Sequence, residues 1–483
     1  MKKIKLLLTI FILILALFAC KETPEPPNEG KHESINILFT GDILNANQSP
    51  DISGMEKHSF NYTKDGEEIV AEGYRLDEIV DLLTLIDAES WLMITATDST
   101  TARINIENAD LCYVLYEENK FSIRAPQLPP VVGIKDIAEI TVVSRNTVQT
   151  GIKLIEQQDE QIMSLGQVRM AFFNQTAANK KNDIPAYKHA LKEEFKVSDL
   201  TNEHMNLLYF ENFDIIKSQE DTGRLIWQEG SLGYELDGKQ YFGLKGIVFG
   251  TEKIVYDAYQ DMKNAIDSDK RVMFILPDGL SLEQIRHFNE DLTVFKQGYS
   301  VAASVNPAIS NVSLATIVTG VSPYHTGITE RGVKAPASQD IFAYAQSKDK
   351  NVKYIEGNSN LILTSVQPVL NPPDPDGFTD ANVYNDTLAA VADGEIGLIF
   401  AHFHGIDDVN HEFSPLSDRS KQKIIEIEGY IANLIADFDG VVIIVPDHGA
   451  VTMTNGEKTE GKHGVFAPQD MFVPYYVLNL EKV

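Results

Sequence analysis

The chain is poor in cysteine: 483 residues carry only Cys20 and Cys112. No disulfide framework can therefore hold it together, and its cores must form by apolar burial. Tryptophan is equally scarce, and Trp91 and Trp227 are read as core-packing residues rather than ligand platforms. Positive charge is also in deficit, with 41 Lys and Arg against 70 Asp and Glu and a formal charge of −29. That balance argues against nucleic-acid binding and gives a well-solvated exterior that repels anions. An anionic substrate would need cations supplied at its site, and metal ions would supply them. The length suits two to four domains with sizeable cores.

The N-terminus carries Lys2, Lys3 and Lys5, then a mostly apolar stretch from Leu6 to Phe18, then Ala19-Cys20. This is the layout of a signal peptide, and the run falls short of the ~20 residues a full span needs. Leu17-Phe18-Ala19-Cys20 resembles a bacterial lipobox. The resemblance implies cleavage before Cys20, a lipid on its thiol, and an extracytoplasmic protein held to the bacterial membrane by that anchor alone. Residues 1–20 are then a lipoprotein signal peptide. Residues 21–33, with three prolines and several charges, read as an extended tether. Cys112, in Ala-Asp-Leu-Cys-Tyr-Val-Leu, has the setting of an inert buried thiol.

Residues 34–150 read as an α+β module. Its strand candidates are Ile35–Thr40, Leu92–Thr95, Leu111–Tyr116, Phe121–Ile123 and Ile137–Val143, and Leu76–Ile86 has helical spacing. Tyr74-Arg-Leu-Asp-Glu-Ile-Val and the Pro-rich turn before Ile137 are similar to the molybdopterin-binding domain of sulfite-oxidase-like proteins. No cysteine stands where that family holds molybdenum, so a binding or scaffold role is expected. Residues 151–266 read as a second α+β module ending in an amphipathic helix near Val255–Ile266. Within it the polar stretch Ala177 to Asp183 reads as a surface loop. Neither module carries a catalytic constellation.

Residues 267–483 have a different texture, in which buried strands alternate with amphipathic helices. The expected fold is α/β, a doubly wound and mostly parallel sheet. Helix candidates are Leu282–Phe288, Val312–Thr319, Asp340–Ser347, Ala381–Ala392 and Asp418–Ala436. Three uninterrupted apolar runs suit strands buried on both faces. Val272–Leu276 ends at Pro277-Asp278-Gly279. Ile396–Ala401 leads into His402-Phe-His404-Gly-Ile-Asp407-Asp408-Val-Asn-His411. Val441–Val445 ends at Pro446-Asp447-His448-Gly449. Open α/β sheets place their ligand sites past the carboxyl ends of such strands. Three strands emptying into Asp and His point to a metal site. Asp407 and His411, four apart, share a helix face, and a mixed carboxylate and imidazole set suits zinc.

Asp278, Ser310 before Asn311-Val-Ser-Leu-Ala-Thr-Ile-Val-Thr-Gly, Asp407, His411, Asp447, His448 and His463 in Gly-Lys-His-Gly form an ordered set of seven positions. In that order they resemble the alkaline phosphatase superfamily, nearest its type I phosphodiesterase/nucleotide pyrophosphatase group. The resemblance implies two divalent metal ions, zinc preferred: one held by Asp407, His411 and His463, the other by Asp278, Asp447 and His448. It implies Ser310 as nucleophile, a phosphoserine intermediate, and a small-molecule phosphate ester as substrate. The helix after Ser310 would offer its first amides to phosphate oxygens, with the backbone amide of Asn311 a contributor. Aligned with the family's motif, Arg331 falls where nucleotide pyrophosphatases carry a phosphate-binding Asn, and a guanidinium there tilts the site toward dianionic monoesters. His402, His404 and Asp408 match no ligand of the family and are read as supporting groups. Rival readings are a sulfatase or mutase of the same superfamily, and a surface binding lipoprotein with a degenerate hydrolase domain. The sulfatase reading lacks the Pro and Arg that should follow the nucleophile.

Overall fold

The computed structural model describes residues 34–44, 47–64, 66–203, 206–219, 221–251, 253–456 and 458–480. The expected signal peptide, Cys20 and the expected tether lie outside the described residues. The carboxyl half is built on one eight-stranded sheet. Its order is Lys253–Ile254, Ser300–Ala303, Phe472–Leu480, Gly440–Ile444, Val272–Pro277, Ile396–Phe403, Asn351–Glu356 and Val369–Leu370. Val272–Pro277 pairs in parallel with both Ile396–Phe403 and Gly440–Ile444. Phe472–Leu480 alone runs against its neighbours.

The apolar runs are continuous because the sheet is covered on both faces. Phe274, Phe400, Tyr354 and Ile443 enter one core with the helices Asp257–Asp267, Ser310–Thr319 and Ile341–Ser347. Ile275, Ala401, Ile355 and Ile444 enter the other with Leu282–His287, Asp380–Ala392 and Asp418–Asp437. Each of these helices lies within two residues of its expected bounds. Ser281 and Gln284 form a capping box at Leu282–His287, and Ser417 caps Asp418–Asp437.

The amino-terminal half contains a six-stranded, a five-stranded, a four-stranded and a three-stranded sheet. Its organisation departs from the expected boundary at residue 150. Phe173–Lys181 pairs with Ile184–Leu191, which pairs in turn with Thr101–Asn105 of the first segment. One sheet therefore draws on both sides of the boundary. The expected loop Ala177–Asp183 is mostly strand, turning only at Asn182 and Asp183, both with positive φ. Its side chains are largely solvent-exposed, so no apolar alternation marked it. The expected boundary at 266 moves too. Lys253–Ile254 pairs with Ser300–Ala303, and Ala258, Met262, Ala265 and Ile266 pack under the carboxyl-half sheet. The expected helix Leu76–Ile86 stops at Val80. Beyond it Leu44 N donates to Thr84 O and Ile86 N to Asp42 O, so this stretch pairs laterally. Cys112 is buried, and burial pushes its thiol pKa up, in keeping with an inert group. Among the described residues no helix is long and apolar enough to cross a membrane.

Phe400 is fully buried, stacked on Phe274 with ring centroids 4.5 Å apart and edge-on to Phe342 and Tyr354. Phe400→Ala should cost about 3–5 kcal/mol of stability. A urea titration followed by tryptophan-independent circular dichroism measures it, and a loss below about 1 kcal/mol would mean the cavity collapses.

Candidate metal centre

The site is assembled where Val272–Pro277 ends. Asp278 N donates to Phe403 O at 2.9 Å, which locks the turn to the neighbouring strand. Gly279 follows with φ +74, and a Cβ there would lie 2.8 Å from Asp407 Cβ. Only glycine satisfies both the backbone and that approach. Its N–H lies 3.3 Å from Asp447 Oδ1, and its carbonyl accepts from Asn410 Nδ2 at 3.0 Å. Gln284 also donates to Asn410, at 2.9 Å. The capped helix after Asp278 thus fixes the helix Gly405–Glu412 that carries Asp407 and His411.

Among the described residues three three-residue clusters result: one joins Asp278 to His402 and His404, and the other two lie nearer Ser310. Asp407 Oδ2 lies 3.3 Å from His411 Nε2 and 3.8 Å from His463 Nε2, and the two nitrogens are 3.1 Å apart. His448 Nε2 lies 3.5 Å from Asp278 Oδ1 and 3.3 Å from Asp447 Oδ2. These are the six side chains expected from the sequence, in the same two groups. Asp407 is buried and faces His411, whereas Asp408 is exposed.

The residues fit divalent cations on three counts. The separations approximate the roughly 3.3 Å edge of a tetrahedron with ~2.0–2.1 Å metal–ligand bonds. Asp407 Oδ1 and Asp447 Oδ2 are buried and accept no hydrogen bond, an expensive arrangement for carboxylates without a cation. Each imidazole also turns Nδ1 to a backbone carbonyl: His411 to Gly461 O at 3.2 Å, His448 to Gly449 O at 2.8 Å, His463 to Ala308 O at 3.0 Å. In a neutral ring that places the proton on Nδ1 and leaves the Nε2 lone pair facing the cluster.

Ser310 is the first residue of the helix Ser310–Thr319, two residues before the expected start. Its Oγ lies 3.2 Å from His448 Nε2 and 3.5 Å from Asp278 Oδ1. Arg331, in an exposed loop, reaches His463 Nε2 with Nη2 at 3.3 Å. Asn311 uses its side chain to hold that loop, donating to Glu330 O at 2.8 Å and Gly332 O at 3.1 Å. The expectation for Asn311 concerned its backbone, and nothing local in the sequence announced this bracing. A cleft of about 160 Å³ lined by Ser310, Asn311, Arg331, Gly332, Val333 and Leu361 opens beside the serine.

Three groups belong with the site beyond the ordered set of seven. His402 Nε2 and His404 Nδ1 lie 3.1 Å and 3.4 Å from Asp278 Oδ2, and both rings reach Glu356 on the adjacent strand. Glu356 was missed from sequence, although it is an acid at the end of the strand Asn351–Glu356, the pattern that flagged Asp278.

Electrostatics follow from this crowding. Burial opposes ionisation of Asp278, but hydrogen bonds from His402 and His404 and the charge of His448 hold its carboxyl well below the usual range. Burial and then the Asp278 charge push Asp447 up to about 7. Burial opposes protonation of His448, but Asp447 and Asp278 lift it to about 10. Burial and then the His448 charge lower His463 to about 4.

No family model and no curated protein matches the chain. Among solved structures it is similar to murine ectonucleotide pyrophosphatase/phosphodiesterase 5 in complex with AMP, with 15% identity and a TM-score of 0.31, covering 38% of this chain and 59% of that one. It is similar to phosphonoacetate hydrolase from Sinorhizobium meliloti 1021 in complex with phosphonoacetate, with 15% identity and a TM-score of 0.32, covering 39% and 59%. The human pyrophosphatase/phosphodiesterase 5 gives 15%, 0.30, 38% and 58%. The chain spans about three fifths of the length of these structures.

Metal binds the deprotonated ligands, so protons on Asp447 and His448 must leave when an ion enters. Zinc uptake near pH 7.5 should release about one to two protons, and its apparent affinity should rise as pH is raised through 7 toward 10. Calorimetry in buffers of different ionisation enthalpy counts those protons. A pH-independent affinity would contradict the assignment of these ligands.

Proposed function

We propose that the protein is an extracytoplasmic, two-metal phosphoric ester hydrolase, anchored by lipid on Cys20, that acts through a phosphoserine at Ser310. The observation that carries this reading is the serine hydroxyl within 3.5 Å of one candidate metal cluster while Arg331 touches the other. Asp407, His411 and His463 would hold one ion, and Asp278, Asp447 and His448 the other. When bound, the ions would favour the alkoxide form of the serine and offset charge on the departing oxygen. Ser310 Oγ then forms a bond to phosphorus as the ester P–O bond breaks, and water cleaves the phosphoserine in a second displacement. Arg331 and the first-turn amides of Ser310–Thr319 bind the non-bridging oxygens. Asn311 keeps Arg331 in place through its hold on the loop. Compensation by cations within the site answers the repulsion that a −29 exterior imposes on an anionic ester.

The guanidinium favours dianionic monoesters over diesters. The test is hydrolysis of p-nitrophenyl phosphate and bis-p-nitrophenyl phosphate by the metal-loaded chain. Ser310→Ala should lower turnover of either ester by at least ~10³-fold, and chelator should abolish it. Arg331→Ala should lower monoester kcat/KM by about 10²–10³-fold and the diester value by less. Turnover of neither ester would favour the reading as a surface binding lipoprotein. Faster diester than monoester turnover would overturn the preference assigned to Arg331.

A further inference from the structure

Behind Asp278, on the side away from Ser310, lies a buried group of side chains to which hydrolysis gives no direct role. Three adjacent parallel strands, Val272–Pro277, Ile396–Phe403 and Asn351–Glu356, bring it together. Ile275, Ala401 and Ile355 lie in one row across them. The next positions along the strands are Leu276, His402 and Glu356, and Asp278 follows at the turn. Glu356 and His402 have no solvent exposure, and Asp278 is 1% exposed.

The contacts run in one direction through this row. Glu356 lies 2.9 Å from His402 Nδ1 and 2.5 Å from His404 Nε2. The opposite nitrogens of the same two rings lie 3.1 Å and 3.4 Å from Asp278 Oδ2. The rings stack on each other with centroids 3.9 Å apart and planes 29° from parallel. Glu356 is itself held by the Tyr354 hydroxyl at 2.7 Å and by Gly357 N at 3.1 Å. Behind His404, a Cβ on Gly357 would lie 2.7 Å from its Cδ2, so the ring is seated against backbone. The two oxygens of Asp278 are thereby divided. Oδ2 is occupied by the paired rings, and Oδ1 alone faces Ser310 Oγ and His448 Nε2.

We propose that Glu356, acting through His402 and His404, is a positioning residue that fixes the rotation of the Asp278 carboxylate. The reading rests on the two-metal assignment, since what it positions is a ligand. A carboxylate at the end of a strand can turn about its Cβ–Cγ bond. Turning here would move Oδ1 off the cluster and leave buried Asp447 without a partner for its ion. Two rings on Oδ2, clamped from behind by one carboxylate, remove that freedom. The pair is stacked nearly face to face, so a single ion cannot lie in both ring planes at ordinary bond lengths. The geometry therefore favours a brace over a third metal site, although Asp278, His402 and His404 also lie close enough together to form a ligand group.

The test compares zinc binding and hydrolysis of p-nitrophenyl phosphate by the full chain, wild type against Glu356→Gln and His404→Asn. The brace predicts two zinc ions per wild-type chain. In each variant one of the two binding constants should weaken by about 10–100-fold and the other should stay unchanged. It further predicts that kcat falls with KM little changed and that excess zinc restores kcat, which a merely structural role would not produce. Two ions bound at unaltered affinity in both variants would overturn the brace alone. Equal weakening of both sites would overturn it in favour of general destabilisation. A third zinc ion in the wild type, lost in His404→Asn, would overturn it in favour of a metal site. Fewer than two ions in the wild type would overturn the two-metal reading and the brace with it.

Discussion

The carboxyl half depends on a costly juxtaposition: Asp278, Asp407 and Asp447 crowd around the single turn at Gly279. Three buried carboxylates repel one another and lose their hydration. The surrounding chain answers that cost side by side with the histidines. His448 stands between Asp278 and Asp447, and His411 and His463 face Asp407. Where the compensation is incomplete, at Asp407 Oδ1 and Asp447 Oδ2, buried oxygens accept no hydrogen bond. Divalent cations would complete it. Such a centre could not form on a loop alone, because it needs strands and capped helices stiff enough to hold like charges together.

The scaffold meets that need through local chemistry that also builds the core. Ser281 and Gln284 cap one helix, and the same Gln284 side chain reaches Asn410 on the helix that bears Asp407 and His411. Glycine at 279 permits the closest approach in the site. His463 comes from the loop after the hairpin Val451–Asn455 and Lys458–Lys462, and its tie to Ala308 O couples that loop to the segment entering Ser310. Ser310 and the candidate ligands are thus linked through backbone contacts as well as through any shared ion. The bracing of Arg331 by Asn311 works in the same way, by side chain on backbone.

The amino-terminal half has a different character. Its sheets are smaller and several strands are solvent-exposed, as Phe173–Lys181 is along nearly its whole length. It joins the carboxyl half through packing such as Tyr209 on Phe466, 5.1 Å between centroids, and the Tyr209 hydroxyl donating to Ser304 O at 2.6 Å. Ser304 in turn donates to Asp447 O at 2.5 Å. A short chain of hydrogen bonds therefore runs from this half to the backbone of a candidate ligand.

What the sequence determined by itself was whatever is encoded over a few neighbouring residues. Apolar runs ending in Asp or His located the sheet and its carboxyl edge, and amphipathic spacing set the helices from Leu282 to Asp437. The Asp407 and His411 pairing followed from helical geometry alone. Tertiary structure decided what depends on pairing between distant strands. Whether residues 173–191 joined the first sheet, and whether Lys253–Asp267 belonged with the carboxyl half, turned on hydrogen-bond partners elsewhere in the chain. Glu356 gained its place only when three strands aligned in register, and Asn311 its grip only when the loop carrying Arg331 folded over it. A periodic pattern records which face of an element is buried; it does not record what that face meets.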